Sequence, residues 1–462
     1  MEKRITSEKK SGSRHVWDVI VVGGGAAGLM AAIQAARSGA KVLILEHMER
    51  SGKKILMTGN GKCNFSNEIF HTIPDWQDEH TYKQYYHRAC PAFVLPALKK
   101  FDINSTLNFF DELGIVPVVR RGGYYPAGGQ AAGVLAVMLM ECGRLGISIE
   151  CNIGIRTITK AENICKNRSG TEEIFVFDTK TKIYYARKCI LATGGKSYKK
   201  TGSDGSGFLY VERLGHHIQD LVPALVPLQS TLAFFKKVAG IRAEISAKIY
   251  IDGIEKDCQN GELQLTDYGI SGICIFQMSH LAAKAFSQVG QDRQIAKSAE
   301  HVYVELDFSP GMTESQTRDI LRQRMKHPCA VNKTAAQSLT GWFPDKLGVA
   351  LLAEAAIPSD QPCTAIPSWQ IVQLATIIKH FKVPVSATRS FEQAQVTAGG
   401  VAVDEVCADT MESKLVNGLY FAGEMLDVDG ICGGFNLQWA WSSGAIAGRH
   451  AASMIRTGRK QS

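Results

Sequence analysis

No stretch of this chain approaches the ~20 successive apolar residues that a membrane span requires. Its twelve cysteines include no C-x-x-C pair and no Cys/His spacing suited to zinc, which points to reduced thiols in a cytoplasmic protein rather than to disulfides or a metal centre. Charge of one sign is also scarce, since the net +8 is modest for 462 residues. The tail, residues 1–16, supplies about three of those charges through Lys3, Arg4, Lys9, Lys10 and Arg14 against Glu2 and Glu8, and it reads as disordered. What remains is too thin to argue for a nucleic-acid partner. Internal repeats and low-complexity tracts are absent as well, and 45% hydrophobic with 21% charged residues fits an ordinary globular chain of two or three domains.

What is present is concentrated near the start. From Asp18 to Glu46 the chain reads strand, glycine turn, helix, strand, with an acid at the end. Gly23, Gly25 and Gly28 stand at the G-x-G-x-x-G spacing: the first permits a tight turn, the second lets a pyrophosphate reach the backbone, and the third lets the helix lie close on the sheet. The helix start, Ala26 and Ala27, offers unpaired N–H groups to phosphates. Glu46 is placed to accept hydrogen bonds from a ribose diol. A basic tail before an apolar run could also be a signal peptide, but Asp18 and the glycine cluster argue against it. The expectation is therefore a dinucleotide site.

Further along, residues 80–145 read as largely helical. Ile147–Ile158, Ile174–Phe177 and Lys182–Ala192 read as strands of one sheet. The segment 196–310 has the short alternating strands of a β-rich domain, and 311–389 has helical periodicity broken at Pro328, Pro344, Pro358 and Pro367. From 390 the glycine-rich style of the start returns and ends in a helix from about Asn436 to Met454. The fold class expected is α/β: a Rossmann-like nucleotide domain in two segments, 17–195 and 390–462, interrupted by a β-rich domain and a helical subdomain.

The second segment bears on the cofactor. NGLYFAGEMLDVDGICGGFNLQWAWSSGAIAG gives a strand, then Gly423, with Glu424 or Asp427 near the strand's carboxyl end. Gly433 and Gly434 lead into a helix whose positive end could face the pyrimidine edge of a flavin. No second complete G-x-G-x-x-G follows a strand, so a nicotinamide would visit rather than reside.

The chain resembles the bacterial FAD-binding oxidoreductases that include the dehydro-bile-acid double-bond reductase and aminoacetone oxidase-like proteins. The likeness rests on GGGAAGLMAA, GKKILMTGNGKCNFSN, LATGGKSYKKTGSDGSGF, PALVPL, GELQLTDYGISG, VTAGGVAVDE and GLYFAGEMLDVDGICGGFNLQWAWSSG, and it runs over nearly the whole chain after residue 16. The resemblance implies a two-segment FAD domain of glutathione-reductase type. It implies that Lys53, Lys54, Thr58, Gly59, Gly61, Lys62, Cys63 and Asn64 line the FAD phosphates and flavin, and that Thr193, Gly194 and Gly195 pack against the adenosine. Gly423, Glu424, Asn436, Leu437 and Gln438 would hold the ribityl chain and ring. Four positions depart from the family pattern: Lys62 for arginine, Lys199 for proline, Ser206 for an acid and Asp267 for histidine.

The function implied is hydride passed from NADH or NADPH, as a transient donor, through flavin N5 to a carbon-carbon double bond conjugated to a ketone, as in a steroid-like small molecule. An amine oxidase of the aminoacetone kind and a flavin-bound RNA-modification or scaffold protein are the alternatives. Tyr268, in the GELQLTDYGISG turn, is the first choice of proton donor, followed by Tyr124, Tyr125 and His301. Cys63 is a candidate redox thiol, although packing is the favoured reading of it. Substrate, donor and oligomeric state stay open.

Overall fold

In the computed structural model, residues 15–75, 79–87, 91–162, 173–289, 301–327 and 332–460 are described; residues 1–14 of the expected disordered tail lie outside them, as does Pro328. The chain divides into two compact units, one formed by 1–195, 200–219 and 399–462 and the other by 196–199 and 220–398.

In the first unit, Val16–Val22 (β1) has its last five residues buried, as a strand covered on both faces must. It begins one residue inside the expected tail. β1 pairs in parallel with Val42–Leu45 (β2) and with Ile183–Leu191. Ser148–Glu150 adds beyond β2, and Leu419–Phe421 adds beside Ile183–Leu191, again in parallel. Antiparallel Glu173–Thr179 and Ile155–Glu162 complete a seven-stranded sheet. Val22, Leu45, Leu191 and Phe421 are in register, so the segments after them leave the sheet at one edge. The stretch 80–145, expected to be largely helical, holds helices Pro91–Lys100, Ile103–Glu112 and Ala131–Arg144 and between them a hairpin of Pro117–Arg120 and Gly123–Pro126.

What brings the chain's two ends together is small-residue packing. Ala26–Arg37 (α1) lies against the C-terminal helix Phe435–Lys460 so closely that a Cβ on Gly444 would stand 2.6 Å from the Ala27 carbonyl oxygen, and one on Gly448 only 2.2 Å from that of Ala31. Alanine at either position would force the helices apart.

The second unit differs from its expected division. Its seven-stranded sheet runs Phe381–Pro384, Val302–Asp307, Arg242–Ile251, Ile254–Thr266, Gly269–Gly272, Leu228–Gln229, Ala387–Thr388, antiparallel throughout. Ile273–Val289 is a helix inside the stretch read as strands. The helices Glu314–Lys326, Asp345–Glu354 and Ser368–Lys379 do not stand apart as a subdomain, because their Leu321, Leu351 and Ile371 share one core with Ile245, Leu263 and Val304 of the sheet. Periodicity reports that a helix has a buried face but not what covers it.

Lys379 ties that core together. Its side chain is 10% exposed and its Nζ donates to Asp307 Oδ2 at 2.6 Å, to the Ser309 carbonyl at 3.1 Å and to the Met312 carbonyl. Lys379→Met leaves a carboxylate and two carbonyls without their donor. The expected cost is about 2–4 kcal/mol, below the full buried-pair value because Asp307 keeps some solvent. Denaturant titration reads it, and an unshifted midpoint would refute it.

No helix among the described residues is long and apolar enough to cross a membrane.

Candidate functional site

The site is built at the edge where the parallel strands of the first unit end. Gly23 has φ +101 and a Cβ there would lie 2.4 Å from the Ala192 carbonyl oxygen, while a Cβ on Gly28 would lie 1.9 Å from the Gly23 carbonyl oxygen. Gly25 is different: a Cβ would meet nothing within 4 Å. The first and third glycines thus serve packing, and the second leaves open space over the start of α1. That helix has Gly25 as its N-cap, no side-chain cap and no acid in its first turn. Uncapped N–H groups and the positive end of the helix dipole make this a place for an anion.

Glu46 follows β2 at the same edge and is buried. Its Oε2 accepts from the Gly24 N–H at 2.8 Å and its Oε1 from the Met48 N–H at 2.9 Å. Gly24 is a residue the motif spacing passed over. A side chain there would strike Ser51 Oγ at 2.4 Å and crowd the Glu46 carboxylate, and the third glycine of the GGG run was the available signal.

From Ile183–Leu191 come Thr193, Gly194 and Gly195. Thr193 Oγ1 is buried with no hydrogen-bond partner among the described residues. The helix Ser206–Arg213 presses on it through Gly207, where a Cβ would lie 1.8 Å from that oxygen. Gly194, at φ +74, lies beside Glu424, and Gly195 accepts a hydrogen bond from the Gly205 N–H. From Leu419–Phe421 come Gly423 and Glu424. Gly423 packs on α1, where a Cβ would approach that of Ala27 to 2.7 Å; its N–H donates to Ser443 Oγ and its carbonyl accepts from Trp439 Nε1. Glu424 Oε2 receives Lys54 Nζ at 2.6 Å, joining the two sequence segments at the site.

Lys53 leans instead on Glu49 at 3.1 Å, and Lys62 is exposed. Thr58 Oγ1 donates to the Ile55 carbonyl. The loop bends through Gly59, Asn60, Gly61 and Cys63, all at positive φ, which for Cys63 is a strained conformation held by its surroundings. Asn64, with its amide turned to suit its neighbours, donates to the carbonyls of Ser66 and Tyr124. Cys63 is fully buried, and burial pushes its thiol up to about 12. A thiol so protonated is a packing residue. Iodoacetamide at pH 8 is expected to modify the exposed Cys258 and to spare Cys63 in the native protein. Labelling of both at one rate, followed by peptide mass mapping, would refute this.

Two of the residues implied for the flavin have side chains engaged within the protein. Gln438 is fully buried; its Nε2 donates to Thr106 Oγ1 and Ser442 Oγ, and its Oε1 accepts from Ser66 Oγ at 2.7 Å. Asn436 closes the DVDGICGG loop, accepting from the Gly430 N–H at 2.9 Å and donating to its carbonyl at 2.8 Å. Both side chains are occupied within the fold. Leu437 stands between them, half-buried.

The proton-donor candidates are scattered. Tyr124 and Tyr125 lie in the hairpin of the first unit, Tyr124 sharing a hydrogen bond with His71 and held above the usual phenol range by burial and then by Glu68. His301 pairs with Asp252 in the second unit. Tyr268, also in the second unit, lies under the Arg389 guanidinium at 4.5 Å. One arrangement in the first unit has triad-like distances: Ser413 Oγ to His216 Nε2 and His216 Nδ1 to Glu405, each 2.8 Å. It is structural. Ser413 and His216 are buried, and Ser413 Oγ already accepts from the N–H groups of Leu415 and Val416.

Cradle, uncapped helix and the orphaned Thr193 hydroxyl together fit a dinucleotide such as FAD. Gly23–Gly28 would take its diphosphate, Glu46 a ribose, and Lys54 with Glu424 the part between diphosphate and ring.

Residues 17–450 match the HI0933-like protein Rossmann domain. The chain is similar to the 3-dehydro-bile acid delta(4,6)-reductase of Clostridium scindens, 39% identical over 94% of this chain and 98% of that one. It is similar to the ribosomal RNA dihydrouridine synthase of Haemophilus influenzae at 29% identity, covering 92% of this chain and 96% of that one. In fold it resembles the 3-ketosteroid delta1-dehydrogenase of Sterolibacterium denitrificans, with a TM-score of 0.50, 11% identity, and coverage of 95% of this chain and 100% of that one.

Proposed function

The chain belongs to the HI0933-like Rossmann family and is an oxidoreductase, and from that premise we propose that it is an FAD-dependent reductase of carbon-carbon double bonds conjugated to a carbonyl, acting on a steroid-like ketone with NADH or NADPH as donor. The observation that carries this reading is the 39% identity, over 94% of the chain, to a reductase of a 3-dehydro-bile acid. Its chemistry is shared with the more distant relative: a dihydrouridine is a uridine whose ring double bond, also conjugated to a carbonyl, has been saturated. Bound flavin supplies hydride transfer. The chain's own part is to orient and to hold charge. The α1 N-terminus and Lys54 offset phosphate charge, and Glu424 orients Lys54. Tyr268 is the candidate donor of a proton to the enolate. A cytoplasmic setting suits reduced thiols and a soluble nicotinamide donor.

The RNA reading has the dihydrouridine synthase relatives in its favour and the lower identity against it. Anaerobic titration separates the readings. NADH or NADPH is expected to bleach the flavin, and a 3-oxo-4-ene steroid acid to restore the oxidised spectrum. Restoration by a ribosomal RNA transcript alone would move the substrate to uridine. Bleaching by aminoacetone with peroxide release in air would make the protein an oxidase.

A further inference from the structure

We propose that Tyr124, positioned by His71, donates a hydrogen bond to the substrate's carbonyl oxygen as that oxygen gains charge. The proposal rests on the function given above, which makes the ligand a ketone conjugated to the double bond being reduced.

Both residues belong to the first unit, and their hairpin is fixed to the helix start expected to face the flavin. Gly123–Pro126 pairs on one side with Pro117–Arg120 and on the other with Ser66–Asn67, where Tyr124 is level with Ser66. Ser66–Asn67 in turn lies against the approach to Phe435–Lys460: a Cβ on Gly434 would stand 2.6 Å from the Ser66 carbonyl oxygen, and Asn67 Nδ2 donates to the Gly433 carbonyl at 2.9 Å. Tyr124 is thus one strand spacing, about 5 Å, from a residue that touches that turn. Its backbone has little freedom to move away. The Phe65 N–H and the Asn64 amide both donate to the Tyr124 carbonyl, and Trp441 Nε1 of the same long helix donates to the carbonyl of Phe65. The next residue, Tyr125, closes on the loop implied for the flavin, since a Cβ on Gly59 would lie 3.6 Å from its ring.

The face that carries the Tyr124 side chain is open. Val119 is its partner across the hairpin and shares that face, with 43% of its surface exposed. Tyr124 is half-buried and His71 is exposed. His71 Nε2 stands 3.2 Å from the Tyr124 hydroxyl. With its proton on Nε2, the imidazole donates to the phenol oxygen, and the phenol's own O–H turns outward to a ligand. Burial, and then Glu68, hold the phenol above its usual range, so it keeps that proton at neutral pH. A fixed O–H donor beside an exposed valine suits a carbonyl carried on an apolar ring system.

In the reaction, hydride adds to the carbon distal to the carbonyl, the double-bond electrons shift toward the carbonyl carbon, and the carbonyl π electrons move onto oxygen. Tyr124 O–H donates to this enolate oxygen and keeps its proton. A proton then adds to the carbon next to the carbonyl, and the C=O bond forms again. The donor acts on charge that exists only part of the way through, which is where donors lower a barrier. The imidazole N–H behind the phenol strengthens it by polarising the O–H further.

The test uses full-length, FAD-loaded protein and three variants: Tyr124→Phe, His71→Leu and His71→Gln. Tyr124→Phe keeps the ring and removes only a half-exposed hydroxyl, so the fold is expected to survive. With a 3-oxo-4-ene steroid acid it is expected to lower kcat roughly 100-fold with KM changed little. His71→Leu should lower kcat about tenfold, and His71→Gln, which retains an N–H at similar reach, should recover most of that loss. Reduction of the flavin by the nicotinamide donor should keep its wild-type rate in all three. A raised KM with unchanged kcat in Tyr124→Phe would overturn the proposal, because the hydroxyl would then bind substrate and enolate alike. Calorimetric binding of a phenolic steroid, whose phenolate mimics the enolate, gives a readout without turnover, and Tyr124→Phe is expected to weaken it at least tenfold. If the wild type reduces no enone yet binds this ligand through Tyr124, the function proposed above fails and the donor site stands. Equal binding by wild type and Tyr124→Phe, or binding by neither, would overturn the site.

Discussion

Gly25→Leu is expected to give a folded protein that has lost its colour. Gly25 has φ −83, which any residue can adopt, and a Cβ there projects into open space, so nothing in the protein opposes a side chain. What opposes it is the diphosphate that the reading assigns to that space. Leucine would stand where phosphate oxygens meet the first N–H groups of α1, and FAD affinity is expected to fall on the order of 100-fold or more, about 3 kcal/mol. Gly28→Val separates ligand loss from fold loss, because its Cβ would lie 1.9 Å from a backbone oxygen and the βαβ unit itself would fail. Circular dichroism and FAD titration read the two effects. A Gly25→Leu protein that binds FAD like the wild type would remove the dinucleotide from this turn.

The contrast between those glycines shows how far the sequence could be read. The spacing of Gly23, Gly25 and Gly28, with an acid after β2, was legible because each element of the unit leaves a local mark: an apolar run, a turn residue, an alanine-rich helix. The second segment's Gly423 and Glu424 were legible in the same way. Gly444 and Gly448 were not singled out, although they let the last helix sit on the first, because a glycine inside a helix carries no sign of which partner approaches it. The side-chain partners of Gln438 and Asn436 were not legible for a related reason. A polar residue at the start of a helix looks the same whether it faces a ligand or ties a loop, and only the positions of Ser66, Thr106 and Gly430 decide.

The junction of the two segments gives the second large effect. Lys54 and Glu424, 370 residues apart, meet at 2.6 Å with side chains 24% and 20% exposed. Lys54→Met removes a positive charge from the phosphate side of the site and leaves the Glu424 carboxylate facing the incoming anion. Partial exposure discounts the cost to about 1.5–3 kcal/mol of FAD binding, roughly 10- to 150-fold. Glu424→Gln keeps Lys54 and removes the repulsion, so its own loss should be smaller, limited to the hydrogen bonds of the carboxylate. The informative protein is the double variant. If Glu424 acts by positioning Lys54, its loss matters little once Lys54 is gone, and Lys54→Met/Glu424→Gln should bind FAD no worse than Lys54→Met alone, with a coupling energy of about 1 kcal/mol or more. Strict additivity would mean that the two side chains touch the cofactor independently, and the ion pair would then be a bystander to binding.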